Sequence, residues 1–159
     1  MKVVCVTGSV CSGKTTVSKK LAEELGYSYV DVNKIIESNP EVVETFNRDL
    51  DTKEIDTDKL VKVLGKEVTK DSVVDSHLSH FFKADLCIVL KCDLKILKKR
   101  LEERGYKENK IEENMDAEIM DSCLMEALEL GQDVIVIDTT DGVDYGMLVA
   151  LVKEKCIPK

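Results

Sequence analysis

The chain has 159 residues, of which 43% are apolar and 34% charged, enough for one globular domain and too few for a catalytic domain with a separate partner domain. Twenty-three basic residues against 31 acidic ones leave a net charge of −8, so general attraction to nucleic acid is excluded and any bound phosphate must meet a local positive site. No apolar run approaches the roughly 18 residues of a membrane span, and the opening one is too short for a secretion signal. The expected setting is therefore cytoplasmic, or nuclear in a eukaryotic cell, with no membrane partner.

Residues 2–7 form a β-rich apolar run that ends at Gly8, a first strand. A helix is expected over 15–25, where Val17, Leu21 and Leu25 recur four apart, and Gly26 stops it. Residues 27–32 read as a second strand and 33–38 as a polar helix broken at Asn39-Pro40. Residues 41–55 are charged and without pattern, so no element is predicted there. Asp56 or Thr57 caps a helix carrying Leu60, Val61 and Leu64. Residues 71–75 and 86–90 are the third and fourth strands. Asp93 caps a helix with Leu94, Leu97 and Leu101, which Arg104-Gly105-Tyr106 interrupts. Residues 115–130 read as one long helix with Ile119, Cys123, Leu124 and Ala127 inward, followed by a fifth strand over 134–137 and a closing helix over 145–155.

Continuous apolar strands alternating with amphipathic helices imply a parallel sheet covered on both faces, a three-layer α/β domain. Six cysteines include no C-x-x-C pair, and Cys5 and Cys87 sit within apolar runs. They read as core residues rather than as a disulfide framework.

The decisive motif is Gly8-Ser9-Val10-Cys11-Ser12-Gly13-Lys14-Thr15, a G-x-x-x-x-G-K-[ST] phosphate loop between a strand and a helix. Its backbone N–H groups and the helix N-terminus favour an anion. Lys14 is expected at the β- and γ-phosphates of ATP, with Gly8, Cys11, Ser12, Gly13 and Thr16 along the loop. Thr15 is expected at Mg²⁺, the implied cofactor. Cys11 supplies an N–H as glycine would, but with more ordinary dihedrals. The second Mg²⁺ residue should be a carboxylate at the end of a neighbouring strand, and Asp75 fits, although it also suits a turn cap.

His77 is placed to orient or deprotonate an attacking group. His77 and His80 as a zinc pair are disfavoured, since no cysteine or carboxylate stands at ligand spacing. Lys95, Lys98, Lys99, Arg100, Arg104, Lys107 and Lys110 form a basic cluster. Arg100 and Arg104 share a helix face and can clamp phosphate oxygens during transfer, the alternative being a solvated face paired with Glu102, Glu103 and Glu108.

The absence of an N-K-x-D motif argues against a GTPase. Asp75-Ser76-His77 with Phe81-Phe82, and Arg100-Leu101-Glu102-Glu103-Arg104-Gly105-Tyr106 followed by Lys110-Ile111, Glu113-Asn114 and Ala117-Glu118-Ile119, resemble the signatures of the adenylate kinase isoenzyme 6 family over nearly the whole chain. The resemblance implies a P-loop fold with sheet order 2-3-1-4-5, a monophosphate-binding arm near 31–54 and a lid near 99–109. It implies ATP-dependent phosphorylation of AMP with intrinsic ATPase activity, and a role in maturing the small ribosomal subunit. The implied partner is a ribosomal protein of the subunit platform, with pre-ribosomal RNA met only indirectly. The family loop usually reads G-T-P-G-x-G-K-T; here Ser9, Val10 and Cys11 replace T-P-G. The arm usually carries an arginine after its D-V pair; here Asp31-Val32-Asn33-Lys34 leaves Asp31 and Lys34 to face the monophosphate, with Arg48 as the other candidate. Two other readings stay open: mainly an assembly ATPase, or a P-loop kinase of another small metabolite, of cytidylate or shikimate type.

Overall fold

The computed structural model describes residues 1–50 and 52–156, so Asp51 of the expected arm and Pro158 lie outside the described residues. Seven strands and seven α-helices follow in the order β1 (Val3–Gly8), α1 (Lys14–Leu25), β2 (Ser28–Asp31), α2 (Val32–Ser38), β3 (Val43–Asn47), β4 (Thr52–Ile55), α3 (Thr57–Glu67), β5 (Ser72–Asp75), β6 (Leu86–Lys91), α4 (Leu94–Glu103), α5 (Glu108–Ile119), α6 (Ser122–Glu129), β7 (Val134–Asp138) and α7 (Tyr145–Cys156). Five strands make a parallel sheet in the order β2-β5-β1-β6-β7. Counted along the chain within that sheet, the order is the expected 2-3-1-4-5.

The central strands β1 and β6 are apolar along nearly their whole length because both faces are covered. On β1, Val3 and Cys5 point into a core shared with Val32 and Ile36 of α2, Leu60 and Leu64 of α3 and Ala127 of α6. Val4 and Val6 point the other way, onto Val17 and Leu21 of α1 and Leu148 and Val152 of α7. This period-2 split of one continuous apolar run is the mark of a doubly covered sheet. A third cluster, Cys92, Leu97, Leu101 and Ile111, packs α4 and α5 beside the P-loop residues Val10 and Cys11. Gly26 ends α1 at φ +71°, a left-handed conformation that glycine adopts cheaply.

Two expectations are corrected. Residues 43–55 contain a β-hairpin, β3 with β4, where the sequence shows no pattern. Both strands are half-exposed or exposed along their length, so no face is buried and no alternation is written into the residues. Local polar contacts shape it instead: the Thr45 hydroxyl donates to Glu54 Oε2 at 2.8 Å, and Asn47 Oδ1 accepts from the N–H groups of Asp49 and Leu50. The expected helix 115–130 is two helices. Asp121 sits in the left-handed region at φ +52°, and Lys91 Nζ ends α5 by donating to the Glu118 carbonyl at 3.0 Å while pairing with Asp121. The break rotates the segment, so Ile119, expected inward, is 61% exposed, whereas Ala127 is buried and Cys123 and Leu124 are half-buried.

Candidate active site

The loop between β1 and α1 folds as an anion cradle. At Gly8 a Cβ would lie 2.8 Å from Ser12 Oγ and 2.9 Å from the Leu90 carbonyl oxygen, so glycine is required by close approach. Cys11 and Gly13 both have positive φ, +67° and +95°. The ordinary dihedrals expected of Cys11 are therefore not found. A non-glycine residue in this region costs about 1–2 kcal/mol, held here by the loop around it: Ser12 N–H donates to the Ser9 carbonyl at 3.1 Å, and Arg100 Nη1 to the Cys11 carbonyl at 3.2 Å. The Thr139 hydroxyl donates to the Ser12 carbonyl at 2.6 Å from the turn after β7.

Lys14 lies across this cradle, its Nζ donating to the Ser9 carbonyl at 2.8 Å. Burial pushes its ammonium pKa down and the Asp75 carboxylate opposes that shift. Asp75 ends β5 beside β1, is 5% exposed, and accepts from the Tyr29 hydroxyl at 2.6 Å. Burial and this carboxylate hold the Tyr29 hydroxyl firmly protonated, so it stays a donor. Thr15 and Asp75 line one cavity of about 270 Å³ together with Lys14, Asp31, His77 and Arg104. A threonine hydroxyl and a carboxylate with one oxygen still open to the cavity are hard oxygen donors, which suit Mg²⁺. Among the described residues no group of three or more His, Cys, Asp or Glu side chains is placed to hold a metal by itself, so such an ion would complete its shell with water or substrate oxygens.

Two larger cavities open from this one. The first, about 420 Å³, shares Cys11, Gly13, Thr16 and Arg104 with it and extends past Arg100 to Thr139 and Tyr145. The second, about 500 Å³, shares Val10, Asn33 and His77 and extends under the hairpin to Phe46, Lys53 and α5. Asn109 Nδ2 donates to the Asp49 carbonyl at 2.7 Å, latching the hairpin tip to the start of α5 over this second space. The structure thus gathers Gly13, Lys14, Thr15, Thr16, Asp31, Asp75, His77, Arg100 and Arg104 around three connected cavities. Lys34 is exposed and lines none of them, nor does Arg48. Asp31 caps α2 at Val32, a phase that turns Asn33 and Glu37 to the cavity and Lys34 away. The cations of the second wall are Lys53 and Lys110. Tyr29 and Thr139 have no local sequence signal, although Thr139 follows the C-terminal end of a parallel strand, where α/β sites gather; Glu118 lies within the Ala117-Glu118-Ile119 signature, which assigns it no role.

His77 is exposed on the cavity wall, and crowding by the surrounding groups together with Lys14, His80 and Lys110 pushes its imidazole pKa down, so it is neutral at pH 7 and a weak base. His80 lies outside the three cavities. It is buried, its Nδ1 is 2.8 Å from the Thr7 hydroxyl, and its Nε2 is 3.7 Å from Glu126 Oε1. Burial pushes it down to about 4. Between pH 6.5 and 4 the unfolded chain binds this proton and the native chain does not, so stability falls as pH drops through that window, by on the order of 3 kcal/mol from His80. Thermal unfolding followed from pH 7 to 4 should show this acid limb, and His80→Asn, which cannot titrate, should flatten it. An unchanged slope in that variant would contradict the assignment.

A phosphate loop, a buried carboxylate on the adjacent strand, paired arginines and two pockets that each adjoin the cavity of the P-loop lysine define the class: a P-loop kinase. The comparisons agree. The family described as AAA domain matches residues 4–121. The chain is 45% identical over 139 residues to a Thermococcus kodakarensis protein named "Putative adenylate kinase", covering 87% of this chain and 76% of that one. It is 42% identical over 140 residues to a Pyrococcus furiosus protein of the same name, covering 87% and 75%. The chain belongs to this family. In fold it resembles shikimate kinase from Acinetobacter baumannii in complex with shikimate (TM-score 0.67, 18% identity, 97% and 92% coverage) and the YorR protein from Bacillus subtilis in complex with phosphorylated GDP (TM-score 0.61, 18% identity, 96% and 97% coverage). No helix among the described residues is long and apolar enough to cross a membrane.

Proposed function

We propose that the chain is an adenylate kinase of the isoenzyme 6 type, moving the γ-phosphoryl group of ATP to AMP to give two ADP. The observation that carries this reading is a pair of nucleotide-sized cavities, each sharing lining residues with the phosphate cavity that Lys14 lines. ATP lies with its base toward Thr139 and Tyr145 and its phosphates on the loop from Gly8 to Thr16. Thr15 and Asp75 would hold Mg²⁺, which when bound neutralises charge along the β- and γ-phosphates. AMP occupies the second cavity under the 31–54 arm. An AMP phosphate oxygen attacks the γ-phosphorus and the bond to the β–γ bridging oxygen breaks. The chain contributes position and charge: Lys14, Arg100 and Arg104 stabilise the transferring group, and the turn of the lid excludes water. Lys53 and Lys110, rather than Lys34, are the cations that meet the AMP phosphate.

The acceptor base is met by hydrogen-bond acceptors. Asn114 Nδ2 is used on the Lys110 carbonyl at 2.8 Å, which leaves Asn114 Oδ1 and the Glu113 carboxylate for the cavity. Such a wall suits a base edge that carries an exocyclic amino group and disfavours uracil, which has none and sets a carbonyl on each side of its single N–H. In an acceptor survey, AMP should exceed UMP in kcat/KM by at least about ten-fold. Equal use of both would sink this assignment.

A second reading has its own support: an ATPase acting in small-subunit maturation with a ribosomal protein as partner. An AMP oxygen is already anionic and needs no help, whereas water must be oriented, and neutral His77 on the wall of the phosphate cavity can hold it by a hydrogen bond. In addition, Met120, Met125, Leu128, Leu130 and Val136 are each 47–73% exposed along α6 and the edge strand β7, with exposed Asp116, Glu129 and Asp138 nearby in the chain. A basic protein partner fits such a surface.

A further inference from the structure

Helix α5 faces two places at once. Lys110, Glu113, Asn114 and Ala117 line the second cavity, one helical stripe at i, i+3, i+4 and i+7. Glu118, one residue on and about 100° around the axis, turns instead to the P-loop. It is 5% exposed and fully engaged: Oε2 accepts from the Ser9 hydroxyl at 2.6 Å, and Oε1 accepts from Lys91 Nζ at 2.8 Å and the Cys92 N–H at 3.2 Å. Ser9 is the residue whose carbonyl receives both Lys14 Nζ and the Ser12 N–H. A single buried carboxylate therefore fixes the residue against which the P-loop lysine rests. Lys91 joins the same helix end to β6 through the Glu118 carbonyl and Asp121.

We infer that Glu118 is a positioning residue for phosphoryl transfer: acting through Ser9, it sets the register of the P-loop and Lys14 against α5, the helix that bears on the acceptor. The inference rests on the kinase reading above. A pocket that binds two substrates separately needs no such link. Phosphoryl transfer does, because a misplacement of about 1 Å between donor and acceptor is enough to cost about 100-fold in rate. A buried ion pair is also weak as a pure stabiliser, since apolar packing commonly does as well. Here the carboxylate joins the cradle, the sheet end and the acceptor helix.

The test is steady-state kinetics of the full chain with ATP and AMP for Glu118→Gln, Ser9→Ala and the double variant. Glu118→Gln keeps the shape and one acceptor oxygen but loses the charge. It should lower kcat by about 10- to 100-fold while the KM for ATP stays within about three-fold. Ser9→Ala should show the same split, and the double variant should be no slower than the slower single one, because the two act as one unit. Should Glu118→Gln fail to fold, Ser9→Ala carries the test alone, since it leaves the Lys91 pair in place. A kcat within two-fold of wild type in either single variant, losses that multiply in the double, or matched changes in kcat and KM would each overturn the inference. Wild-type protein that makes no ADP from ATP and AMP would instead overturn the kinase reading itself, leaving the two failures distinct.

Discussion

Lys14→Ala should lower phosphoryl transfer to AMP and any hydrolysis of ATP by at least about 1,000-fold. Lys14 lies across the cradle, its Nζ 2.8 Å from the Ser9 carbonyl. It sits in a desolvated site, where a charge aimed at developing negative charge is worth far more than in water. Burial opposes the ammonium, but the nearby Asp75 supports it, and bound phosphates would support it further. Alanine removes the charge and leaves the glycine geometry of the loop intact, so the variant should fold with a thermal midpoint close to wild type. ADP formation in a coupled assay measures the effect. Turnover within ten-fold of wild type would mean that phosphate is handled elsewhere.

Arg104→Ala should divide binding from chemistry. Arg104 caps α4 at the turn into α5 and lines both the first cavity and the phosphate cavity. It is exposed and donates no hydrogen bond that shapes the loop, in contrast to Arg100, which holds the Cys11 carbonyl. Its guanidinium is free to follow charge as it develops between donor and acceptor. The expected result is a fall of about 100-fold in kcat with the Kd for ATP, measured by calorimetry, changed by less than about three-fold. Arg100→Ala should disturb both, because that residue also supports the loop backbone. Equal losses of affinity and rate in Arg104→Ala would assign Arg104 to ground-state binding.

What the sequence made readable and what it hid divide along physical lines. The phosphate loop is local: eight residues between a strand and a helix specify it, and the structure folds it as an anion cradle. The five sheet strands are equally readable, since burial on both faces writes continuous apolar runs such as Val3-Val4-Cys5-Val6. The hairpin β3–β4 buries neither face and so leaves no pattern. The break at Asp121 depends on Lys91, thirty residues away, and reads locally as an unbroken helix. Glu118 meets Ser9 across 109 residues and Tyr29 meets Asp75 across 46; no spacing rule reaches so far. Lys34 is expected at the monophosphate only because it follows the Asp31-Val32 pair; α2 begins at Val32, and its first turn carries Lys34 to solvent. Cys11 shows a different limit, because its left-handed backbone is imposed by the loop rather than chosen by the residue.

The central claim is that two nucleotide sites flank the phosphate cavity of Lys14 and work together. It is tested most directly by ADP production from Mg-ATP with and without AMP, using the purified chain. Turnover should rise steeply and saturably with AMP, two ADP appearing for each ATP consumed. Slow turnover indifferent to AMP, with one ADP and one inorganic phosphate per ATP, would contradict it and leave the second cavity without an acceptor.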